Sequence, residues 1–355
     1  MGNAGRSRGA ERAELTPERV AIAVAEREWS CVPSPLVSRD RMVTASSGDA
    51  RALVRRTGLA ERRPWRSDPG DAWVVVQVGV GPARALLRLE APAGERLPPR
   101  YQIESSASVH EAARGGAESV ATEPGSTQSA DAWRLELAVV GNTACTRVHV
   151  VEFDGQSALK VAFDAVEHGG VALERLDVFD ASDGSDDVWL VLGDELAQAG
   201  LAEDAGGFAE GVHARYPGYF PALIDESRPG DTPAAVLERL GALLALHPEA
   251  RRVALGFGAT PGGLELAPLA ELTAALLAAG RVPLFARAPT LVPALAPAVE
   301  AFNAQLVVLE REHGLAPGPQ PSAWAERFGG ALPDEARAAL AALWVEAADV
   351  FYVPQ

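Results

Sequence analysis

From Trp29 to about Asp187 the chain runs in short apolar segments broken by turn residues. Ala72–Val80 is β-branched and alternates between two faces. Ala85–Glu90, Tyr101–Glu104, Trp133–Val140, Arg147–Phe153, Leu159–Phe163 and Val171–Val178 follow it, with turn pairs such as Asp154-Gly155 and Gly169-Gly170 between several of them. Short strands at this spacing predict an all-β sandwich. Residues 111–130, rich in Gly, Ser, Ala and Glu, predict a long mobile loop inside it. Residues 1–28 read as a flexible N-terminal segment with one short amphipathic piece, Pro17–Arg27.

The pattern changes after Asp187. Val188–Leu192 is a continuous apolar run, and Ala234–Leu246 has helical periodicity. Arg252–Phe257 and Val282–Ala286 read as strands; Ala267–Ala279, Val292–His313 and Asp334–Ala348 read as helices, the first of them stopped by Gly280. Apolar strands alternating with helices predict a mostly parallel sheet covered on both faces, with Val188–Leu192 central. The expected division is a β-sandwich over 29–187 and an α/β domain over 188–355.

Length fits that division, since 355 residues correspond to about two domains at roughly 150 residues each. There are 48 acids against 32 bases, a formal net charge of -16, and Lys160 is the single lysine. Such an acidic surface repels phosphate backbones and anionic lipid, so nucleic acid is not an expected partner. The longest strongly apolar stretches, such as Leu272–Ala279, fall short of the ~20 residues that span a bilayer, so no membrane role is expected. The first twenty residues carry charges throughout, which points to the cytoplasm. Cys31 and Cys145 alone make neither a disulfide framework nor a zinc site.

In open α/β sheets ligands bind beyond the carboxyl ends of the strands, so the residues there carry the candidate chemistry. After Val188–Leu192 stands Gly193-Asp194-Glu195-Leu196. After the Pro221–Ile224 run comes Ser227-Arg228-Pro229-Gly230-Asp231-Thr232, and after Arg252–Phe257 comes Gly258-Ala259-Thr260-Pro261. Three turns in this order resemble the GDS, GGDT-like and GxND blocks of the SGNH (GDSL-type) hydrolases. Phe208–Asp225, Gly230-Asp231-Thr232 and 252–258 are similar to a bacterial subgroup with an N-terminal galactose-binding, discoidin-like sandwich. Ser46–Gly79 and the junction Asp180–Trp189 fit that subgroup too. The resemblance covers about residues 30–350. It implies a jelly-roll-like sandwich followed by a flavodoxin-like α/β/α domain.

The departures bear on chemistry. Glu195 stands where the family has its nucleophilic serine, and Thr260 stands in place of the Asn that donates to the oxyanion. Pro261 replaces the following Asp. The DxxH block aligns with Phe328-Gly329-Gly330-Ala331, which lacks both the orienting Asp and the general-base His. Nucleophile and base act as a unit, so losing both removes orders of magnitude of rate. The expectation is a catalytically degenerate hydrolase-like protein that binds a carbohydrate, acyl or peptide ligand, or a partner protein. Asp194, Glu195, Arg228, Asp231, Gly258 and Thr260 would bind the ligand, and the positions equivalent to the family's catalytic blocks are Glu195, Gly230, Thr260, Phe328 and Ala331. The alternatives are an esterase or deacetylase on esterified carbohydrate with rebuilt catalytic residues, and a structural scaffold.

Other candidates are weaker. Among His110, His149, His168, His213, His247 and His313 no pair has metal-ligand spacing, and there is no GxxxxGK[ST] loop, so neither metal nor cofactor is expected. Asp194, Glu195 and Asp231 could meet at a hard cation, but a bracing role for Asp194 in its turn is the simpler reading. Trp65, Trp73 and Trp133 are either sandwich core or an aromatic platform for a sugar.

Overall fold

The computed structural model describes residues 31–54, 64–92, 94–107, 133–166, 170–184, 186–201, 207–328 and 333–353. The N-terminal segment 1–28, the 111–130 loop and Gly329, Gly330 and Ala331 lie outside them.

The first part of the chain is β-rich. One sheet of five strands runs in the order β1 (Val43–Ala45), β3 (Gly70–Gln77), β8 (Ala158–Val166), β5 (Arg100–Ser106), β6 (Arg134–Val140). A second sheet runs β10 (Arg175–Asp180), β4 (Arg84–Glu90), β7 (Thr146–Glu152). A short ribbon pairs β2 (Trp65–Arg66) with β9 (Ala172–Leu173). All pairings here are antiparallel. The period of two sends Val74, Val76, Ile103, Val161 and Phe163 of the larger sheet, and Leu87, Leu89, Val151, Leu176 and Val178 of the smaller one, into one apolar cluster. Trp65 belongs to that core: its indole is buried and Nε1 donates to the Ser47 carbonyl at 2.7 Å. It is therefore not part of any surface platform, whereas Trp73 is half-buried on the other face of β3, and Trp133, also half-buried, precedes β6.

The second part is a parallel sheet in the order β12 (Ala222–Asp225), β11 (Val188–Gly193), β13 (Arg252–Gly256), β14 (Val282–Phe285). Helices α1 (Glu195–Leu201), α2 (Phe208–Arg215), α6 (Ser322–Phe328) and α7 (Asp334–Tyr352) form one packed group, and α3 (Pro233–Leu246), α4 (Leu266–Ala278) and α5 (Ala296–His313) another. Every residue of β11 is buried, as expected when both faces of a parallel sheet are covered. Thr232 caps α3 by accepting from the Ala235 N–H at 3.2 Å, with Pro233 at the first position. The helix expected from Val292 starts as a short 3-10 turn at Pro293–Leu295 and becomes α only at Ala296. Among the described residues no helix is long and apolar enough to cross a membrane.

The two parts touch through a continuous apolar cluster. Leu86, Val148 and Phe179, on the outward face of the three-stranded sheet, join Trp189, Phe220 and Ile224 in it, and the Phe179 and Phe220 rings lie 6.2 Å apart. The start of the described chain ties in as well. Cys31 N–H donates to the Phe351 carbonyl at 3.1 Å, and Val32 N–H to Asp186 Oδ1 at 2.6 Å.

Candidate functional site

The ends of β11 and β13 pinch together. Gly193 is in register with Gly256, and a Cβ on Gly193 would stand 1.9 Å from the Gly256 carbonyl oxygen. Only glycine fits that approach, and the Gly193 φ of +126° demands it too. Asp194 follows, fully buried. Its Oδ1 accepts the Leu196 N–H at 2.9 Å and its Oδ2 accepts the Ala259 N–H at 2.7 Å. The carboxylate thereby braces the turn after β11 against the turn after β13. Burial pushes its pKa up to about 6, opposed by those amide donors.

Glu195 opens α1, half-buried, and its Oε2 accepts the Gly230 N–H at 2.9 Å. That bond reaches the exposed turn after β12. The turn after β12 also meets the one after β13, since a Cβ on Gly262 would lie 3.2 Å from the Thr232 methyl. Thr260, half-buried, precedes a 3-10 turn and makes no side-chain cap bond. Asp194, Glu195, Gly230, Gly258 and Thr260 thus stand on three adjoining turns. This is the switch point of the sheet, where β12 lies to one side of β11 and β13 to the other.

The remaining sequence-selected residues sit differently. Arg228 joins the cluster through its backbone, its N–H donating to the Gly193 carbonyl at 2.9 Å, while its side chain is exposed. Asp231 is buried and turned toward α3. Arg239 Nη1 donates to Asp231 Oδ1 at 2.9 Å and Nη2 donates to Oδ2, while Nη2 also meets the Glu226 carbonyl at 2.8 Å. Among the described residues no group of three His, Cys, Asp or Glu is placed to hold a metal. Phe328 packs on Trp324, ring centroids 6.1 Å apart.

Beside Leu196, on the α7 side, lies a small apolar pocket of about 10 Å³, lined by Leu196, Phe257, Pro289, Trp324, Leu340 and Trp344; the sequence-selected Asp194, Glu195, Arg228, Asp231, Gly258 and Thr260 do not line it. Arg287 stands at its edge, held by Glu310 with an Nη1–Oε1 distance of 2.6 Å. Sequence reasoning missed Arg287, although its place just after β14 obeys the same strand-end rule. It also missed Trp324 and Trp344, which reach the pocket from helices distant in sequence.

Three of the described histidines are engaged elsewhere. His213 Nδ1 lies 3.0 Å from the Tyr219 carbonyl, His247 Nε2 lies 3.0 Å from Glu226 Oε1, and His149 Nε2 lies 2.6 Å from the Tyr101 hydroxyl. Burial lowers the His149 pKa to about 3, so that imidazole is neutral. Among the described residues none of them hydrogen-bonds to Asp194, Glu195 or Thr260.

No protein-family model matches the chain, and no curated protein matches it either. Solved structures with partial likeness fall into two groups. Chitosan-binding module 1 of a chitosanase/glucanase from Paenibacillus sp. IK-5 is 15% identical with a TM-score of 0.30, covering 40% of this chain and 97% of that one. A variant of the acetyl xylan esterase Axe2 from Geobacillus stearothermophilus is 13% identical with a TM-score of 0.38, covering 48% and 99%. LAE5, an alpha/beta hydrolase enzyme from the metagenome of Lake Arreo, Spain, is 14% identical with a TM-score of 0.38, covering 46% and 95%. At TM-scores below 0.5 these likenesses carry no argument about what this chain does.

Proposed function

We propose that this chain is a catalytically degenerate SGNH-hydrolase-like protein, a jelly-roll-like sandwich over 29–187 joined to a flavodoxin-like domain over 188–355. Its strand-end cleft binds a small carbohydrate or acyl ligand without cleaving it. The strand order β12-β11-β13-β14 supports the flavodoxin-like reading, being the order of the first four strands in that architecture.

One observation carries the functional reading: the carboxylate at the nucleophile-equivalent position accepts the Gly230 N–H. Ester hydrolysis needs a nucleophile, a base and donors free to meet a developing oxyanion. Glu195 supplies a charged group instead of a hydroxyl, and its own oxygen uses one of the donors. A second negative charge arriving there would be repelled as well as left short of a partner.

The test is hydrolysis of p-nitrophenyl acetate by the whole chain. Turnover is expected at background. Glu195→Ser is not expected to restore it, because no described histidine bonds into the cluster to activate a hydroxyl. Robust turnover lost in Glu195→Gln would overturn the reading and identify the carboxylate as a general base acting on water.

A further inference from the structure

A helix on the outside of a soluble protein buries one stripe and turns charged residues to water on the other. Helix α5 does the first and not the second. Val299, Phe302, Leu306 and Leu309 are buried on its inner side. Its outer side carries Pro297, Ala301, Ala304, Val307 and Val308, all exposed, the two valines by 42% and 41%. From Ala288 to Leu309 the chain holds a single charge, Glu300, although charged residues make up 23% of the whole. This apolar side continues into the exposed Val292, Pro293 and Ala294 before the helix. It also adjoins α4, where Ala267, Ala274 and Ala278 are exposed around one charge, Glu271. An exposed apolar area of this extent on an acidic protein marks a contact surface.

Two charges frame the outer stripe. Glu300 stands toward one end and Arg311 toward the other, both exposed, and among the described residues neither has an ion-pair partner within the chain. Glu300, Ala304, Val307 and Arg311 follow one another by four, three and four positions, the spacing that holds residues on one seam between paired helices. The seam is balanced about its middle: each charge lies about 8 Å along the axis from the point between Gln305 and Leu306. Turned end for end, it sets each charge opposite one of the other sign.

We propose that the outer side of α5 is the contact between two copies of this chain, packed antiparallel about a twofold axis level with Gln305 and Leu306. Each Glu300 then stands level with the partner's Arg311, and Ala304 faces the partner's Val307. Alanine at the centre lets the helix axes approach to about 8–10 Å, within reach of both ion pairs. A twofold contact uses the same patch on both copies, so the pairing forms twice. Parallel packing would set Glu300 against Glu300 and Arg311 against Arg311, which excludes it. With a net charge of -16 two copies repel each other, and here they meet through a surface nearly free of charge and framed by opposite signs. A neutral lipid surface or an unrelated protein could cover the valines and alanines but gives no role to the reversed charge pair. With the Val292–Ala294 turn and the outer residues of α4, the footprint stands at the small end of specific interfaces. The dimer is therefore reversible, with a Kd on the order of 10 µM.

Sedimentation velocity of the full chain, from about 1 to about 200 µM, tests this. The unmodified protein is expected to pass from monomer to dimer across that range. Val307→Glu, which puts a charge in the middle of the seam, should weaken association at least tenfold. Glu300→Arg and Arg311→Glu each set like charges face to face at both ends of the contact, and each should weaken it at least tenfold. An equimolar mixture of those two variants should dimerise again, because every facing pair is then of opposite sign. That recovery requires the reversed pairing and follows from no other use of the surface. A chain that stays monomeric throughout the range overturns the proposal, also where it binds phosphatidylcholine vesicles instead. So does a dimer untouched by Val307→Glu, or a mixture of the two charge variants that associates no better than either alone. Should Val307→Glu fail to fold, the mixed charge variants, altered only at exposed positions, decide the matter.

Discussion

At the residue scale, the most consequential group outside the cleft is Asp187. It is fully buried where the two parts of the chain join. Trp189 Nε1 and the Tyr352 hydroxyl both donate to Oδ1, at 3.2 and 3.1 Å. Ser34 Oγ lies 3.4 Å from Oδ2 and 3.1 Å from the Phe220 carbonyl, and one hydroxyl hydrogen cannot serve both. With that hydrogen on Phe220, a proton on Asp187 Oδ2 gives Ser34 its missing donor. Burial raises the Asp187 pKa to about 6, against the pull of Arg252. A carboxyl raised in the folded state holds its proton more tightly there than when unfolded. Its stabilising contribution is therefore complete below the unfolded value and is lost as pH rises through about 6. Asp194, raised to about 6 for the same reason, acts in the same sense. Asp187→Asn keeps an acceptor for Trp189 and Tyr352 and supplies a permanent donor toward Ser34. Urea denaturation should find it more stable than the parent by up to about 3 kcal/mol at pH 7.5. That advantage should shrink to nearly nothing at pH 4. A constant difference across this range would mean that folding leaves the Asp187 pKa where it stands in the unfolded chain.

At the element scale, the strands were legible because their side chains obey simple periods. The expected segments at Ala85–Glu90, Trp133–Val140 and Val188–Leu192 differ from β4, β6 and β11 by a residue or so. The Val171–Val178 segment divides at Glu174 into β9 and β10, which belong to different sheets, and local pattern carries no trace of that choice. Helices α1 and α6, seven residues each, escaped because two turns give too few positions for a period to emerge. They are held by packing: a Cβ on Gly200 of α1 would come 2.5 Å from Trp344 Nε1 of α7. At the candidate site, the turns after β11, β12 and β13 were legible as strand ends. The Glu195–Gly230 bond and the Asp231–Arg239 pair were not, since they depend on side-chain direction. Glycine sharpens the point. Gly193 and Gly230 both have positive φ, +126° and +75°, but a Cβ on Gly193 strikes the Gly256 carbonyl whereas one on Gly230 meets nothing within 4 Å. Gly230→Ala should cost about 1–2 kcal/mol, from left-handed strain alone. Gly193→Ala should cost about 3 kcal/mol or more, because the β11 and β13 ends must also separate. Denaturation midpoints of the two variants compare them directly; equal losses would mean that the β11–β13 contact yields without cost.

At the scale of the whole molecule, the change of pattern near residue 187 divides two styles of chain, yet the apolar interior does not divide there. The three-stranded sheet has one face in the sandwich core and the other against the parallel sheet and its helices, so it serves as a middle layer. Charged groups reinforce the joint: the buried Arg252 Nη1 donates to the Asp186 carbonyl, and Arg251 meets Asp186 Oδ2 at 3.2 Å. Separating the parts would expose Leu86, Val148, Phe179 and Phe220 together, at about 25 cal/mol for each Å² of apolar surface returned to water. Domains linked by small polar interfaces melt independently, but a shared apolar core couples them. Scanning calorimetry of the full chain should therefore show a single transition whose calorimetric and van't Hoff enthalpies agree. Phe179→Ala removes the ring from the sandwich side of the joint and leaves Phe220 facing a void. It should lower that one transition as a whole, by about 3–5 kcal/mol, the usual cost of truncating a buried phenylalanine. Two resolved peaks in the unmodified chain, or a Phe179→Ala variant in which one part melts early while the other keeps its midpoint, would show that the parts fold independently and that the joint only docks them.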